Sequence, residues 1–339
     1  MSSLHSISCV LPSDLEAELN TTTDVDNTTD PHTIYKIGER LLQRLERRKK
    51  KFGPCEEVRR QVELTVVALN MLSCRTLRHA EQTDSESLKH IIMDNALKML
   101  GQAGELCGGS DDDTSVLPNW FENERKRLLV QTTTLNNCAC VLRKTGDLEG
   151  ALNCLQAALG LETQILTMND LEGCVEEKHL EDDGIGGVSG VGGVGSVSSV
   201  SSADSGNSTQ SGGTVIQAPR ANPAGTHLNM CAVLSKMKRH DEAMLHATSA
   251  LSLIHEGRSP SIAFDGAGNK SSVRAIAHYN LGVEQESLGL LDAADSSYVA
   301  AMSVVVLDLG VMHPLTTSIQ NNATEGLKAV ERRKKKRRK

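Results

Sequence analysis

The chain has 339 residues, 39% hydrophobic but only 2% aromatic, and a formal charge of −7. That composition can fill a core with Leu, Ala, Val and Met. It argues against a strand-rich protein, because strands draw on aromatic and β-branched side chains. The charge is unevenly spread. Without the basic runs Arg47–Lys51 and Arg332–Lys339, which hold 13 of the 36 Lys and Arg, 23 cations remain against 43 carboxylates. The rest of the chain is therefore acidic, near −20.

The first 32 residues contain no Lys or Arg and are rich in Asp, Thr and Ser, the composition of a disordered acidic arm. They show neither the basic start nor the long apolar run of a secretory leader. No apolar stretch reaches the ~18 residues of a membrane span. The nine cysteines are scattered without a framework, as expected of reduced, inert thiols inside a cell. From about Thr33, the spacing of Ile37, Leu41, Leu42 and Leu45 predicts a helix, which Pro54 separates from the next. A second helix follows from Glu57 through Leu64, Val67, Leu69 and Leu72. After a polar loop at roughly 82–87 comes a third, with Ala96, Leu100 and Ala103 at small-large-small spacing. Asn119, Trp120 and Phe121 are expected to open a long fourth helix.

Beyond that point the chain repeats itself. Asn137, Asn229 and Asn280 each stand fourteen residues before an Ala (Ala151, Ala243, Ala294), and a second Ala follows seven residues later (Ala158, Ala250, Ala301). Small residues at Ala139, Cys231 and Gly282 complete the pattern, since paired helices approach closely only where bulk is missing. Gly146 and Gly289 mark the turn within each pair, where a positive φ is cheap; Lys238 holds that place in the middle copy and weakens its turn signal. Residues 184–214, almost all Gly, Ser and Val, interrupt the array as linker, and a polar loop is expected at about 257–270. The predicted organisation is an acidic arm over 1–32, a helical block over 33–180, a linker over 181–222, a second helical block over 223–330 and a basic tail over 331–339.

The offsets of these small and large residues resemble the tetratricopeptide repeat, a helix–turn–helix unit of about 34 residues. The family's Trp near the start of the first helix is absent: Leu135, His227 and His278 stand there. The run from Leu309 to Asn322, LGVMHPLTTSIQNN, is similar to the junction of kinesin light chain repeats, in which His-Pro closes one unit and an Asn pair opens the next helix. Asn322 lies 42 residues after Asn280, a unit length that suits this subtype, and Asn136–Asn137 repeats the pair. The resemblance implies an all-α superhelix of helical hairpins acting as a non-catalytic scaffold or adaptor in the cytoplasm, with a cytoskeletal or cargo-type partner.

In such repeats the first helices line a concave groove. The resemblance implies that Asn137, Asn229, Asn280 and Asn322 hold the backbone of an extended peptide, a task suited to an amide that both donates and accepts. Specificity would then come from Asn136, Arg143, Lys144, Leu228, Lys236, Tyr279 and Glu286. A second reading stays open, in which the Asn row only bridges adjacent helices. The basic run Arg332, Arg333, Lys334, Lys335, Lys336, Arg337, Arg338 and Lys339 could engage nucleic acid, anionic lipid or acidic tubulin tails, or act as a nuclear import signal. That last possibility makes a nuclear or nucleic-acid-associated protein the alternative function. No catalytic constellation stands out, and no cofactor or metal is expected. Gly190, Gly192 and Gly195 match a dinucleotide fingerprint, but without the flanking strand and helix it requires. Asp265–Ser272 has a phosphate-loop look without the Gly before its Lys. Cys138 and Cys140 point to different faces of a helix and lack a second pair at zinc spacing.

Overall fold

The computed structural model describes residues 30–108, 120–176, 221–255 and 266–338. Ten α-helices run in chain order: α1 Pro31–Phe52, α2 Glu56–Gln82, α3 Glu86–Leu106, α4 Glu124–Thr145, α5 Leu148–Glu176, α6 Pro223–Lys236, α7 His240–His255, α8 Gly266–Ser287, α9 Leu291–Val304 and α10 Pro314–Arg337. A π-helical turn, Val305–Leu309, extends α9. No strand occurs among the described residues. The fold is all-α, built from helices that pack mainly against their neighbours in the chain. The chain divides into two compact units, and the division falls inside α4, after Val141. The acidic arm and the Gly/Ser linker lie outside the described residues, apart from residues 30–32 and 221–222.

The first unit holds α1 to α3 and most of α4. Asp30 caps α1 by accepting from the backbone N–H groups of His32 and Thr33, with Pro31 at the first turn, where a missing N–H costs nothing. Helix α1 ends at Gly53, whose φ is +67°, one residue before Pro54. Ile34, Leu41 and Leu45 bury one face of α1 against Val62, Val66 and Leu69 of α2. The long fourth helix starts later than expected. Asn123 accepts from Lys126 N–H at 2.8 Å and caps it. Trp120 and Phe121 instead cover the core before the helix begins, with Phe121 buried and Lys49 Nζ 4.8 Å from the Trp120 ring.

The second unit contains the end of α4 and α5 to α10. Each repeated Ala of the second helices is fully buried: Ala151, Ala158, Ala243, Ala250, Ala294 and Ala301 are all at 0% exposure, as are Ala96 and Ala103 of α3 in the first unit. The turns within the hairpins share one geometry. In two of them the chain closes with the paired bonds of a Schellman motif. Arg239 N–H reaches Leu234 O at 2.9 Å with Lys238 N–H on Ser235 O, and Leu290 N–H reaches Gln285 O at 2.8 Å with Gly289 N–H on Glu286 O. The motif puts one residue in the left-handed region. Gly146 takes it at φ +93° and Gly289 at +76°; the middle copy keeps the same turn with Lys238 at +63°, the sole non-glycine at positive φ among the described residues.

The last hairpin explains its own residues. Tyr298 of α9, 2% exposed, lies where side chains at two glycines would stand. A Cβ at Gly282 would come within 2.8 Å of its ring, and one at Gly326 of α10 within 2.5 Å. At the His-Pro junction Gly310 turns the chain at φ +82°. His313 then caps α10 through Nδ1 to Leu315 N–H at 3.2 Å, and Pro314 sits in the first turn. Thr316, fully buried, donates to Gly310 O at 2.7 Å and seals the corner. Helix α8 begins at Gly266, inside the stretch expected to be loop. Its early turns are tied down by Ser271 and Arg274, which both bond Asp308 of the π-helical turn. Outward-facing Thr317, Asn321, Asn322, Glu325 and Lys328 give α10 the polar outer side of a capping helix.

The basic run does not form a separate tail. Helix α10 continues through Arg337, and part of the run docks on the α8–α9 turn. Arg333 donates to Glu286 O at 2.8 Å and Arg337 to Gly289 O at 3.1 Å, both carbonyls at the negative end of α8. Lys334 Nζ lies 2.8 Å from Asp292 and 3.4 Å from Asp295.

Candidate peptide-recognition face

The recurring asparagines occupy different environments. Asn137 is 4% exposed in α4, and its amide donates to Asn70 Oδ1 of α2 at 2.7 Å. Asn70 in turn donates to Thr134 Oγ1 at 2.8 Å and to Val66 O at 2.9 Å. This closed network joins α2 to α4, so Asn137 bridges helices rather than facing a groove. A buried amide must find such partners, because leaving it unsatisfied costs roughly 1–3 kcal/mol. Asn70 was not foreshadowed by the repeat spacing; its one sequence signal is a lone polar residue in the apolar run VVALNML. Asn229 and Asn280 are half-buried and Asn322 is exposed. Asn136, half-buried, donates to Thr132 O of its own helix at 3.2 Å.

Two of the expected neighbours belong to the interior. Leu228 is 7% exposed and packs in a core with Ala250, Ile254 and Val273, so it offers no groove-facing surface. Glu286 accepts the Tyr298 hydroxyl at 3.0 Å and pairs with Arg333. Tyr279 remains half-buried, its ring 5.9 Å from that of Tyr298, and burial followed by Glu286 pushes its hydroxyl pKa up.

Three cations do come together in the second unit. Arg143 and Lys144 lie in the last turn of α4 and Lys236 in the last turn of α6, positions that the helix dipole favours for positive charge. Lys236 Nζ is 3.4 Å from Arg143 O. Burial and then Lys236 lower the pKa of Lys144; burial and then Arg143 lower that of Lys236. The three cations form an electropositive spot at the ends of the two helices.

The imidazoles supply no chemistry of that kind. His227 and His246 face each other across α6 and α7, Nδ1 to Nδ1 at 2.7 Å, and burial pushes His227 down to about 4. His240 lies 2.7 Å from Glu284, which is 1% exposed. No group of three or more His, Cys, Asp or Glu that could hold a metal occurs among the described residues. Cys140 is buried and Cys138 half-buried. The Gly190–Gly195 motif lies outside the described residues, and the stretch from Gly266 to Ser272 is helical. Of the basic run, Lys339 lies outside them. Arg332, Lys335, Lys336 and Arg338 are exposed, with Lys335 paired to Glu331 at 2.7 Å. No helix among the described residues is long and apolar enough to cross a membrane.

No family model matches the chain, and no curated protein matches it. Among solved structures it is similar to BtubC (BKLC) from P. vanneervenii, with 14% identity over 91% of each chain and a TM-score of 0.47.

Proposed function

We propose that this chain is a non-catalytic adaptor that holds an extended peptide along the first helices of its second unit. What supports the reading is the convergence of Arg143, Lys144 and Lys236 from the ends of two first helices, α4 and α6, each lysine disfavoured in its charged form by burial and then by a cationic neighbour. Such a spot is relieved by an anionic group on a ligand. Asn229 and Asn280, half-buried on α6 and α8, are the amides that would pair with the ligand's main chain; Tyr279 and Asn322 extend the face toward α10. Asn137 has no part in it. The His-Pro junction at His313–Pro314 is the basis for grouping these hairpins with kinesin light chain repeats, and hence for expecting a cytoplasmic partner of cytoskeletal or cargo type.

The test is partner capture on the immobilised full chain, quantified by mass spectrometry, for the parent and for the Asn229→Ala/Asn280→Ala and Arg143→Gln/Lys236→Gln variants. Captured partners should fall at least tenfold in both variants at unchanged helicity, each lost contact being worth ~1 kcal/mol or more. Equal capture by all three proteins would reject the groove.

A further inference from the structure

The two basic runs look alike in the sequence and differ in the fold. In α10, Arg333, Lys334 and Arg337 are spent on the carbonyls and carboxylates of the α8–α9 turn, and Lys335 on Glu331. In α1 the run Arg47–Lys51 is only the end of a longer pattern. Lys36, Arg40, Arg44, Arg47, Lys50 and Lys51 are all exposed. At 100° per residue they fall within an arc of about 120°, opposite the buried Ile34, Leu41 and Leu45. At 1.5 Å per residue they extend over ~22 Å. Among the described residues no carboxylate pairs with Lys36, Arg40, Arg47, Lys50 or Lys51. The body of the chain is acidic, so a dense cationic ridge does not follow from composition.

We propose that this outward face of α1 is a contact surface for the phosphate backbone of duplex nucleic acid. The partner class follows from the shape and chemistry of the ridge. It carries no apolar residue on its exposed arc, so it has nothing to insert into a bilayer. It is one helix wide, and Glu39 and Glu46 border it along one edge, which suits a rod of charge better than an anionic plane. It has no exposed aromatic on which bases could stack, so single strands have no platform. A duplex presents one charge per ~1.7 Å with condensed counterions, and their release rewards a row of cations far more than an acidic peptide can. The contact is independent of base sequence, because nothing on the arc reads base edges.

Binding of the full chain to a fluorescent duplex of about 20 base pairs, measured as a function of salt, tests this. Five or six phosphate contacts predict a slope of log K against log salt near −5 for the parent. The variant Arg40→Gln/Arg47→Gln/Lys51→Gln should bind at least tenfold more weakly at low salt, with a slope shallower by about 3. Lys335→Gln/Lys336→Gln/Arg338→Gln should change the slope by less than half as much. Circular dichroism confirms that both variants fold. The proposal is overturned if the parent does not bind, if the α1 variant binds within twofold of it, or if the α10 variant loses as much. It is also overturned if vesicles rich in phosphatidylserine retain the parent more tightly than the duplex does. The groove variants Asn229→Ala/Asn280→Ala should bind duplex like the parent, which keeps the two proposals separable.

Discussion

Lys238 occupies a backbone conformation that L-residues avoid. The left-handed region costs a non-glycine roughly 1–2 kcal/mol, because Cβ crowds the following carbonyl oxygen. Lys238 tolerates it at φ +63° because the Schellman bonds from Lys238 and Arg239 to Ser235 and Leu234 fix the turn. Its side chain is exposed, so burial does not offset that cost. Glycine at this position removes the strain but releases more entropy on unfolding, about 0.5–1 kcal/mol. The net expectation for Lys238→Gly is a gain of about 0.5–1 kcal/mol, or a melting temperature higher by about 1–4 °C for a unit of this size. Urea unfolding followed by circular dichroism should show a higher midpoint at unchanged slope. Gly146→Ala supplies the reverse experiment. Its φ is +93° and a Cβ there would meet nothing within 4 Å, so the loss reports backbone strain of roughly 1–2 kcal/mol less the glycine entropy recovered, a net of about 0.5–1 kcal/mol. A Lys238→Gly protein no more stable than the parent would refute the claim that all three hairpins use one left-handed turn.

Two further outcomes follow from the buried polar groups. Asn70→Ala or Asn137→Ala should each cost about 1–3 kcal/mol, because each strands the partner amide; the double variant should cost clearly less than their sum. Additive losses in urea unfolding would mean that the two amides do not depend on one another. Glu162 is 1% exposed, accepts Asn222 N–H at 3.0 Å, and is pushed by burial up to about 7. The folded state therefore keeps the proton that the unfolded chain releases near 4.5. This contribution to stability is full below about pH 4.5 and is lost as pH rises through 7. Glu162→Gln keeps an acceptor without the charge, so its stability relative to the parent should rise with pH across that window, by up to ~3 kcal/mol. His227 moves stability the opposite way, losing it as pH falls from 6.5 toward 4, but it does so in both proteins and cancels from the difference. A difference that stays flat with pH would show that Glu162 is not held neutral.

The helical array was legible because close helix packing is demanding at fixed offsets. Ala151, Ala158, Ala243, Ala250, Ala294 and Ala301 had to be small, and all are fully buried. Lys238 was a misleading signal: the turn there is set by the hydrogen bonds of its neighbours, which override the preference of one residue. The role of Asn137 could not be read locally. An amide that grips a ligand and one that bridges helices look the same in sequence, and its partner Asn70 lies 67 residues away. The basic run beyond Glu331 misled for a related reason. Consecutive like charges disfavour a helix on their own, whereas here the carbonyls of Glu286 and Gly289 and the carboxylates of Asp292 and Asp295 supply what the run lacks.

Charge in this chain is therefore sorted by position rather than amount. Cations at the C-terminal turns of α4 and α6 are placed where helix dipoles tolerate them, while burial and then a cationic neighbour disfavour the charged form of both lysines. Arg333, Lys334 and Arg337 of α10 sit at the α8–α9 turn and are taken up there. The α1 ridge combines length with exposure along one helix face. High salt distinguishes these three uses. It weakens the exposed ridge and the exposed end of Lys236 first, because charge at the surface is screened within about 8–10 Å. It leaves the α10 clasp largely intact, since two of its contacts are hydrogen bonds from guanidinium groups to backbone carbonyls. If the proposed groove holds an anionic peptide, high salt should release it without loosening the last hairpin.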